Sequence, residues 1–311
     1  MKAYVVLLAA LVAVGCSPKK ELTEAEKAAY RDEIDRWHVE RLEKVKAPNG
    51  WLNLVGLYWL EPGINTFGSD PGNNIVFPAG RIAGQAGYFK LDGNVVTLFA
   101  SADAAIRLNG QAIKNEVVYH PDSSNALTLE SGSLRWNIIR RESKLGIRLR
   151  DHSAALVHHF KGVDRFPVDP LYRVEAVLEP ADSSSQVSIT NVLGQTYQRP
   201  SPGVLVFTLE GQEQKLTPIL EGNGEELFII FADATSSKET YGGGRFLYAK
   251  RPGPDGKVTL DFNKAYNPPC VFTPYATCPL PPAQNVLPLA IHAGEKNYEP
   301  ADGKGAVSLL H

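Results

Sequence analysis

The chain has little net charge and few cysteines. Its 311 residues carry a formal net charge of -2 and include three cysteines and seven histidines. No tract of lysines and arginines is present, so charge gives no indication of nucleic-acid binding, and we expect no nucleic-acid partner. The composition, 43% hydrophobic and 21% charged, is that of an ordinary folded protein with enough residues for two cores.

The established catalytic signatures are also missing. There is no glycine-rich phosphate loop ending in Lys-Ser/Thr, no Gly-x-Ser-x-Gly elbow and no His-Glu-x-x-His helix. His152, His158 and His159 cluster in HSAALVHHF, but no acidic residue follows at a familiar ligand spacing. We therefore expect no metal and no cofactor, and the sequence leaves open whether the protein is an enzyme.

The N-terminus, MKAYVVLLAALVAVGC, has the layout of a secretory signal. One lysine precedes an apolar run of about twelve residues, which is too short to span a membrane. Residues 1–15 are predicted to be the signal peptide. The ending, AVGC, resembles a bacterial lipobox, which predicts that Cys16 is lipidated and anchors the protein to a membrane. Ser17 rather than aspartate favours the outer membrane, facing the periplasm of the bacterial cell envelope. The alternative is a plain signal peptide with an incidental cysteine.

Export bears on the two remaining cysteines, because secreted compartments are oxidising. We predict a disulfide between Cys270 and Cys278, which lie in DFNKAYNPPCVFTPYATCPLPPAQN, residues 261–285. Its paired prolines favour extended backbone and remove amide donors, so an ordered loop is expected rather than sheet. Such a loop would fix the directions of its asparagines, Asn263 and Asn267 among them, either to cap backbone groups or to meet a polar ligand.

A short tether, 16–22, precedes one predicted amphipathic helix, 23–46. Thr23 and Glu26 have the spacing of a capping box, and an aromatic stripe follows that we expect to pack against the next domain. From Trp51 onwards, short apolar runs alternate with Gly, Asn and Asp, which is typical of a β-sandwich or barrel.

Residues 47–130 contain strand and turn alternations such as YFKLDGNVVTLF, with a turn at Asp92-Gly93. An early GSDPGNN and a late RLNG make this part similar to a forkhead-associated β-sandwich. That fold reads phosphothreonine through an arginine and a Ser-x-x-His element. Here GQAG, residues 84–87, stands in the place of that element, so the resemblance implies the shape and not phosphopeptide binding.

Residues 131–311 are predicted to form a second antiparallel β-domain, beginning with LRWNIIRR and GIRLRD. The connections between later runs are too short for repeated helical crossovers. The fold class is therefore mainly β: an N-terminal helix, a small forkhead-associated-like sandwich and a second antiparallel β-sandwich or barrel unit.

A dense polar constellation, DATSSKETYGGGRFL, occupies residues 233–247. Glycines allow close approach of the backbone to a ligand, and Arg245 offers a planar fork suited to carboxylate or phosphate. The same residues also make an ordinary hairpin, in which Asp233 and Thr235 satisfy turn amides and Arg245 pairs with Asp261.

The chain as a whole resembles the domain-of-unknown-function 1684 family of uncharacterised bacterial proteins. The residues that carry the resemblance are GWLNLVGLYWLEPG, FGSDPGNNIVFP, GIRLRD, FADATSSKETYGGGRFLY and the 261–285 segment with LAIHAGE. The resemblance implies membership of the family and supplies no reaction, cofactor or substrate.

Three functions remain open. The first is a lipoprotein that binds a small polar or anionic ligand in a pocket of the second β-domain. The second is a hydrolase with Asp233 or Asp261 as general base and Arg245 as the group that stabilises negative charge. The third is a structural envelope protein. The candidate ligand-binding residues are Arg148, Arg173, Asp233, Thr235, Tyr241, Arg245, Asp261, Asn263 and Asn267.

Overall fold

The structure, a computed structural model, describes residues 22–123 and 126–299. The predicted signal peptide, Cys16 and all but the last residue of the predicted tether lie outside the described residues. No helix in the described part of the chain is both long enough and apolar enough to cross a membrane.

Helix α1 spans Glu24–Lys46 and begins at the predicted capping box. The Glu26 amide donates to the Thr23 hydroxyl (3.2 Å), and the Thr23 amide donates to the Glu26 carboxylate (2.7 Å). Its buried side chains include Tyr30 and Ile34. The Tyr30 hydroxyl donates to Asp261 (2.7 Å), so this part of the helix packs against the second β-unit and not against the unit that follows it in the chain.

The described residues of the first β-unit form eleven strands. They are β1 Leu54–Trp59, β2 Gly63–Gly68, β3 Ile75–Val76, β4 Gly87–Asp92, β5 Val95–Ala100, β6 Arg107–Leu108, β7 Gln111–Ala112, β8 Asn115–Tyr119, β9 Leu129–Ser131, β10 Leu134–Arg141 and β11 Lys144–Asp151.

These strands form two sheets that share one core. One sheet has the order β3-β2-β4-β5-β8 and the other β1-β11-β10-β9-β6-β7. Phe67 and Phe89 from the first sheet pack with Trp136 and Leu149 from the second. The predicted boundary at residue 130 is therefore misplaced: β10 and β11, which we assigned to the second domain, complete the first sandwich. Strand patterning shows which face is apolar, but it does not show which distant strand will pair with it.

The second β-unit follows a short helix, α2 Ala155–His159. Its strands are β12 Arg173–Pro180, β13 Gln186–Thr190, β14 Thr196–Pro200, β15 Gly203–Leu209, β16 Gln212–Leu216, β17 Ile219–Leu220, β18 Glu226–Phe231, β19 Arg245–Lys250 and β20 Lys257–Asp261.

The sheets β16-β15-β12-β20 and β17-β18-β19 pack face to face as an open sandwich, and β13-β14 is a separate hairpin. Strand β18 is buried on both faces, because successive side chains point to opposite sides. Leu227 and Ile229 enter the sandwich core, whereas Phe228 and Ile230 pack on the outside with Phe246.

The described segment after β20 contains short 3₁₀ turns and no strand, as its prolines predict. The predicted disulfide is confirmed: Cys270 and Cys278 are bonded, with Cα atoms 6.2 Å apart. The bridged loop also contacts the first unit. Thr273 donates to the Leu54 carbonyl (2.9 Å), and Arg141 donates to the Thr277 hydroxyl (3.1 Å).

Candidate functional site

Arg245, the central residue of the predicted site, is completely enclosed by protein. Its side chain has no exposed surface, and neither has that of Asp233, to which it donates a 2.7 Å bond. The guanidinium also donates to the backbone carbonyls of Ile291 (3.0 Å), Ala293 and Glu295 (3.4 Å). Burial lowers the pKa of Arg245, and the Asp233 carboxylate opposes that shift. Arg245 therefore ties the C-terminal segment to the second sandwich.

The other polar groups of the 233–247 loop hold the loop together. Asp233 accepts from the Thr235 amide (2.8 Å) and hydroxyl (2.6 Å). The structural alternative thus describes these two residues, but Arg245 pairs with Asp233 and not with Asp261. Gly244 has φ +81°, and a Cβ there would lie 2.5 Å from the Phe231 carbonyl oxygen. The glycine is needed because the chain passes too close to β18 for any side chain.

Asp261 and Asn263 belong to the contact between α1 and the second unit. The Asp261 carboxylate accepts a hydrogen bond from the Asn263 backbone amide (3.2 Å) as well as from the Tyr30 hydroxyl. The Asn263 side chain donates to the Tyr30 hydroxyl (2.9 Å) and the Asp169 carbonyl (2.9 Å). Burial and the Asp261 charge raise the pKa of Tyr30. Arg173 is exposed and lies over the Tyr30 ring, 5.2 Å from its centroid.

Asn267 is also used by the protein itself. Its backbone amide donates to the Glu295 carboxylate (2.7 Å), and its side chain donates to the Lys296 carbonyl (2.6 Å). Arg41 of helix α1 donates to the Asn267 carbonyl (3.0 Å) and lies 3.4 Å from Glu295. Burial raises the pKa of Glu295, although Arg41 opposes the shift.

The shared hollow that we predicted for Tyr241, Arg245, Asn263 and Asn267 is therefore not formed. Three of these side chains are hydrogen-bonded to other groups of the protein, and Tyr241 packs among apolar side chains. Asp233 and Asp261, the candidate bases of the hydrolase alternative, are likewise bonded to protein groups, and neither lines the cavity described next. Of the nine predicted ligand-binding residues, Arg148 alone lines it.

That cavity has a volume of about 560 Å³ and lies between the two β-units and helix α1; we call it the inter-unit cavity. Its lining comes from all three parts and from the bridged loop. The lining includes Trp37 and Arg41 of α1, Trp51, Arg141 and Arg148 of the first unit, and Glu221, Phe228, Tyr248 and Tyr266 of the second unit.

One wall of the inter-unit cavity is aromatic. Phe228 and Tyr248 stack with ring centroids 4.7 Å apart, and Tyr266 lies nearly parallel to Tyr248 at 6.3 Å. Trp37 is 6.4 Å from Tyr266. Tyr248 is 41% exposed, so the wall is open to a ligand.

Arg148 carries a charge that no carboxylate balances within the described residues. Its guanidinium carbon is 5.7 Å from the centroid of the Trp51 ring, and its buried Nε has no hydrogen-bond partner. Burial, with Arg141 and Arg150 nearby, lowers the pKa of Arg148 to about 10, so the group stays cationic at neutral pH. Arg141 donates to Thr277 and to a carbonyl of its own strand.

Glu221 supplies charge of the opposite sign at the exposed rim. Its carboxylate accepts from the Tyr248 hydroxyl at 3.3 Å. Partial desolvation raises the pKa of Glu221, and burial together with the Glu221 charge raises the pKa of Tyr248. The described residues include no group of three or more His, Cys, Asp and Glu placed to hold a metal ion.

The sequence analysis missed the aromatic wall and Glu221. A signal for Arg148 and its neighbours was present: Leu145, Ile147 and Leu149 face the first core, so Arg148 and Arg150 must project from the other face of β11. Nothing in the sequence showed that helix α1 and the second unit cover this face.

Comparison with known proteins gives one matching family profile and several similar solved structures. A profile described as a protein of unknown function, DUF1684, matches residues 158–296. The solution NMR structure of an uncharacterised protein of Haloarcula marismortui is 34% identical, over 44% of this chain and 77% of that chain, with a TM-score of 0.37. No curated protein matches the chain.

Two FHA-domain structures are similar at a TM-score of 0.22 each. One comes from a study of phosphothreonine-dependent FHA domain interactions, with 14% identity over 31% of this chain and 94% of that chain. The other is the FhaA FHA domain in complex with the intracellular domain of Rv3910, with 13% identity over 30% of this chain and 97% of that chain. With the profile match and the identity to the Haloarcula protein, the chain belongs to the DUF1684 family of proteins of unknown function.

Proposed function

We propose that this protein is an exported lipoprotein, anchored through Cys16 to the bacterial outer membrane and facing the periplasm, that binds a small anionic ligand in the inter-unit cavity. The observation that carries the proposal is the unbalanced charge of Arg148 beside an open aromatic wall. A cation that is partly desolvated and repelled by neighbouring arginines is stabilised when an anion binds next to it.

The dimensions of the cavity support this choice. Small-molecule sites commonly enclose about 300–1,000 Å³, with mostly apolar walls and a few placed polar groups. The inter-unit cavity, at about 560 Å³, lies within that range of volumes, and its lining combines aromatic side chains with several charged ones. The Arg148 fork suits a carboxylate or a phosphate, and the rings of Tyr248 and Tyr266 suit the apolar part of the same molecule.

Calorimetric titration with two probes of one shape tests the proposal: 3-phenylpropionate, which is anionic, and 3-phenylpropanamide, which is neutral. We expect the anion to bind and the amide to bind at least about tenfold more weakly. Arg148→Gln should weaken the anion by about 10-fold to 100-fold, since a charge-assisted hydrogen bond contributes about 1.5–3 kcal/mol.

The matched control is Arg140→Gln, which removes the same charge from an exposed side chain of the same hairpin that does not line the cavity. It should leave the affinity within about twofold. The proposal fails if neither 3-phenylpropionate nor phenyl phosphate binds at about 10 mM, or if the Arg148 variant binds the anion as well as wild type does.

The anchor is tested separately. A palmitate analogue fed to expressing cells should label the wild-type protein and not Cys16→Ala. Equal labelling of both proteins would contradict lipidation of Cys16 and would not affect the proposal that the cavity binds an anion.

A further inference from the structure

The inter-unit cavity presents an unpaired negative charge as well as an unpaired positive one. Glu221 has no lysine, arginine or histidine within 4.0 Å among the described residues, and its one hydrogen bond comes from Tyr248. An anionic ligand held by Arg148 leaves that carboxylate unbalanced. A ligand with a second, cationic group would satisfy both.

Arg148 and Glu221 do not neutralise each other across the cavity. Both line the cavity, and no ion pair joins them, so their charged atoms lie more than 4.0 Å apart. The two groups are therefore opposite charges in one cavity, and a ligand that carries both signs can pair with each of them.

The aromatic wall next to Glu221 is suited to a cation. Arg41 already lies over the Tyr266 ring, with its guanidinium carbon 4.5 Å from the centroid. The neighbouring Tyr248 ring is 41% exposed and carries the hydroxyl that bonds Glu221. An ammonium group placed there would meet a carboxylate and a partly exposed aromatic ring together, which is a favourable setting for a partly desolvated cation.

We infer that the ligand of the inter-unit cavity is an aromatic zwitterion, of which an aromatic amino acid is the smallest form. Its carboxylate pairs with Arg148, its ammonium group lies between Glu221 and Tyr248, and its ring packs on the aromatic wall. The inference rests on the proposed function and adds a second point of recognition to it.

A matched ligand series tests the inference by calorimetry: phenylalanine, 3-phenylpropionate without the ammonium group, and phenethylamine without the carboxylate. Wild type should bind phenylalanine at least about tenfold more tightly than either single-charge probe. Glu221→Gln should abolish the preference for phenylalanine over 3-phenylpropionate and should not weaken the latter. Arg148→Gln should weaken both. Glu225→Gln, an exposed neighbour outside the cavity, is the control and should keep the preference.

The outcomes separate the two proposals. If 3-phenylpropionate binds in an Arg148-dependent way but phenylalanine binds no better, the zwitterion inference is wrong and anion binding stands. The inference is also wrong if Glu221→Gln retains the preference. If phenylalanine, 3-phenylpropionate and phenyl phosphate all fail to bind at about 10 mM, anion binding in the cavity is wrong as well.

Discussion

Replacing Arg245 with methionine, an unbranched side chain without charge, should destabilise the second β-unit and leave the inter-unit cavity intact. In the structure the guanidinium is fully enclosed and donates to Asp233 and to the carbonyls of Ile291, Ala293 and Glu295. The substitution leaves a buried carboxylate without its cation and three carbonyls without this donor.

Breaking a buried ion pair by removing one partner costs about 3–5 kcal/mol. Each carbonyl that stays unsatisfied adds up to about 1–3 kcal/mol, although these costs are not additive. We therefore expect a loss of at least about 4 kcal/mol, which at a urea slope of about 2 kcal/mol per molar lowers the unfolding midpoint by about 2 M. Adding Asp233→Leu to Arg245→Met should recover part of this loss, since neither charge is then left alone.

Equilibrium urea unfolding followed by circular dichroism measures these changes, and calorimetry with 3-phenylpropionate measures the cavity. Under native conditions Arg245→Met should bind the probe within about twofold of wild type. An unchanged midpoint would refute the structural role assigned to Arg245. If Arg245→Met folds but loses probe binding to the same extent as Arg148→Gln, Arg245 is part of the ligand site.

Three further predictions concern stability. Cys270→Ser combined with Cys278→Ser should lower the free energy of unfolding by about 2.5 kcal/mol, the loop-closure value for this short ring. Urea unfolding without reductant measures the change, and an unchanged free energy would show that the disulfide does not stabilise the fold. Gly244→Ala should lower the melting temperature clearly more than Gly211→Ala does. Both glycines have a positive φ, but only at Gly244 would the added Cβ also clash with backbone. Equal decreases in melting temperature would contradict this reason. Burial raises the pKa of Glu295, so between its ordinary value and its folded-state value the folded chain binds more protons than the unfolded chain does. Its contribution to stability is therefore lost as pH rises through the folded-state pKa. The melting temperature of Glu295→Gln, relative to that of the wild type, should therefore increase as pH rises. A difference in melting temperature that does not change with pH would show that the pKa of Glu295 is not raised in the folded protein.

Local features were the predictable part of the fold. The capping box at Thr23 and Glu26 and the tight turn after Asp92 depend on residues only a few positions apart. The disulfide was predicted from the expected export and lipidation of Cys16, which leave two cysteines for an oxidising compartment. The assignment of β10 and β11 failed because strand pairing is decided by contacts between distant residues, and alternation alone cannot specify them.

The candidate site was predicted less well than the fold. An arginine after three glycines has the same local pattern whether it faces a ligand or a buried aspartate. The difference lies in the carbonyls of residues 291–295, which reach Arg245 only in the folded chain. In the same way, Tyr248 and Tyr266 are ordinary strand and loop tyrosines until helix α1 places Trp37 and Arg41 beside them.

The docking of helix α1 has a consequence for the order of folding. Its first buried contact joins Tyr30 to Asp261, 231 positions later in the chain. A nascent chain that ends before Asp261 can complete the first sandwich, but it lacks the surface against which the helix packs. The inter-unit cavity is thus among the last parts to assemble, and a C-terminally truncated protein should retain a folded first unit with a detached, protease-sensitive helix.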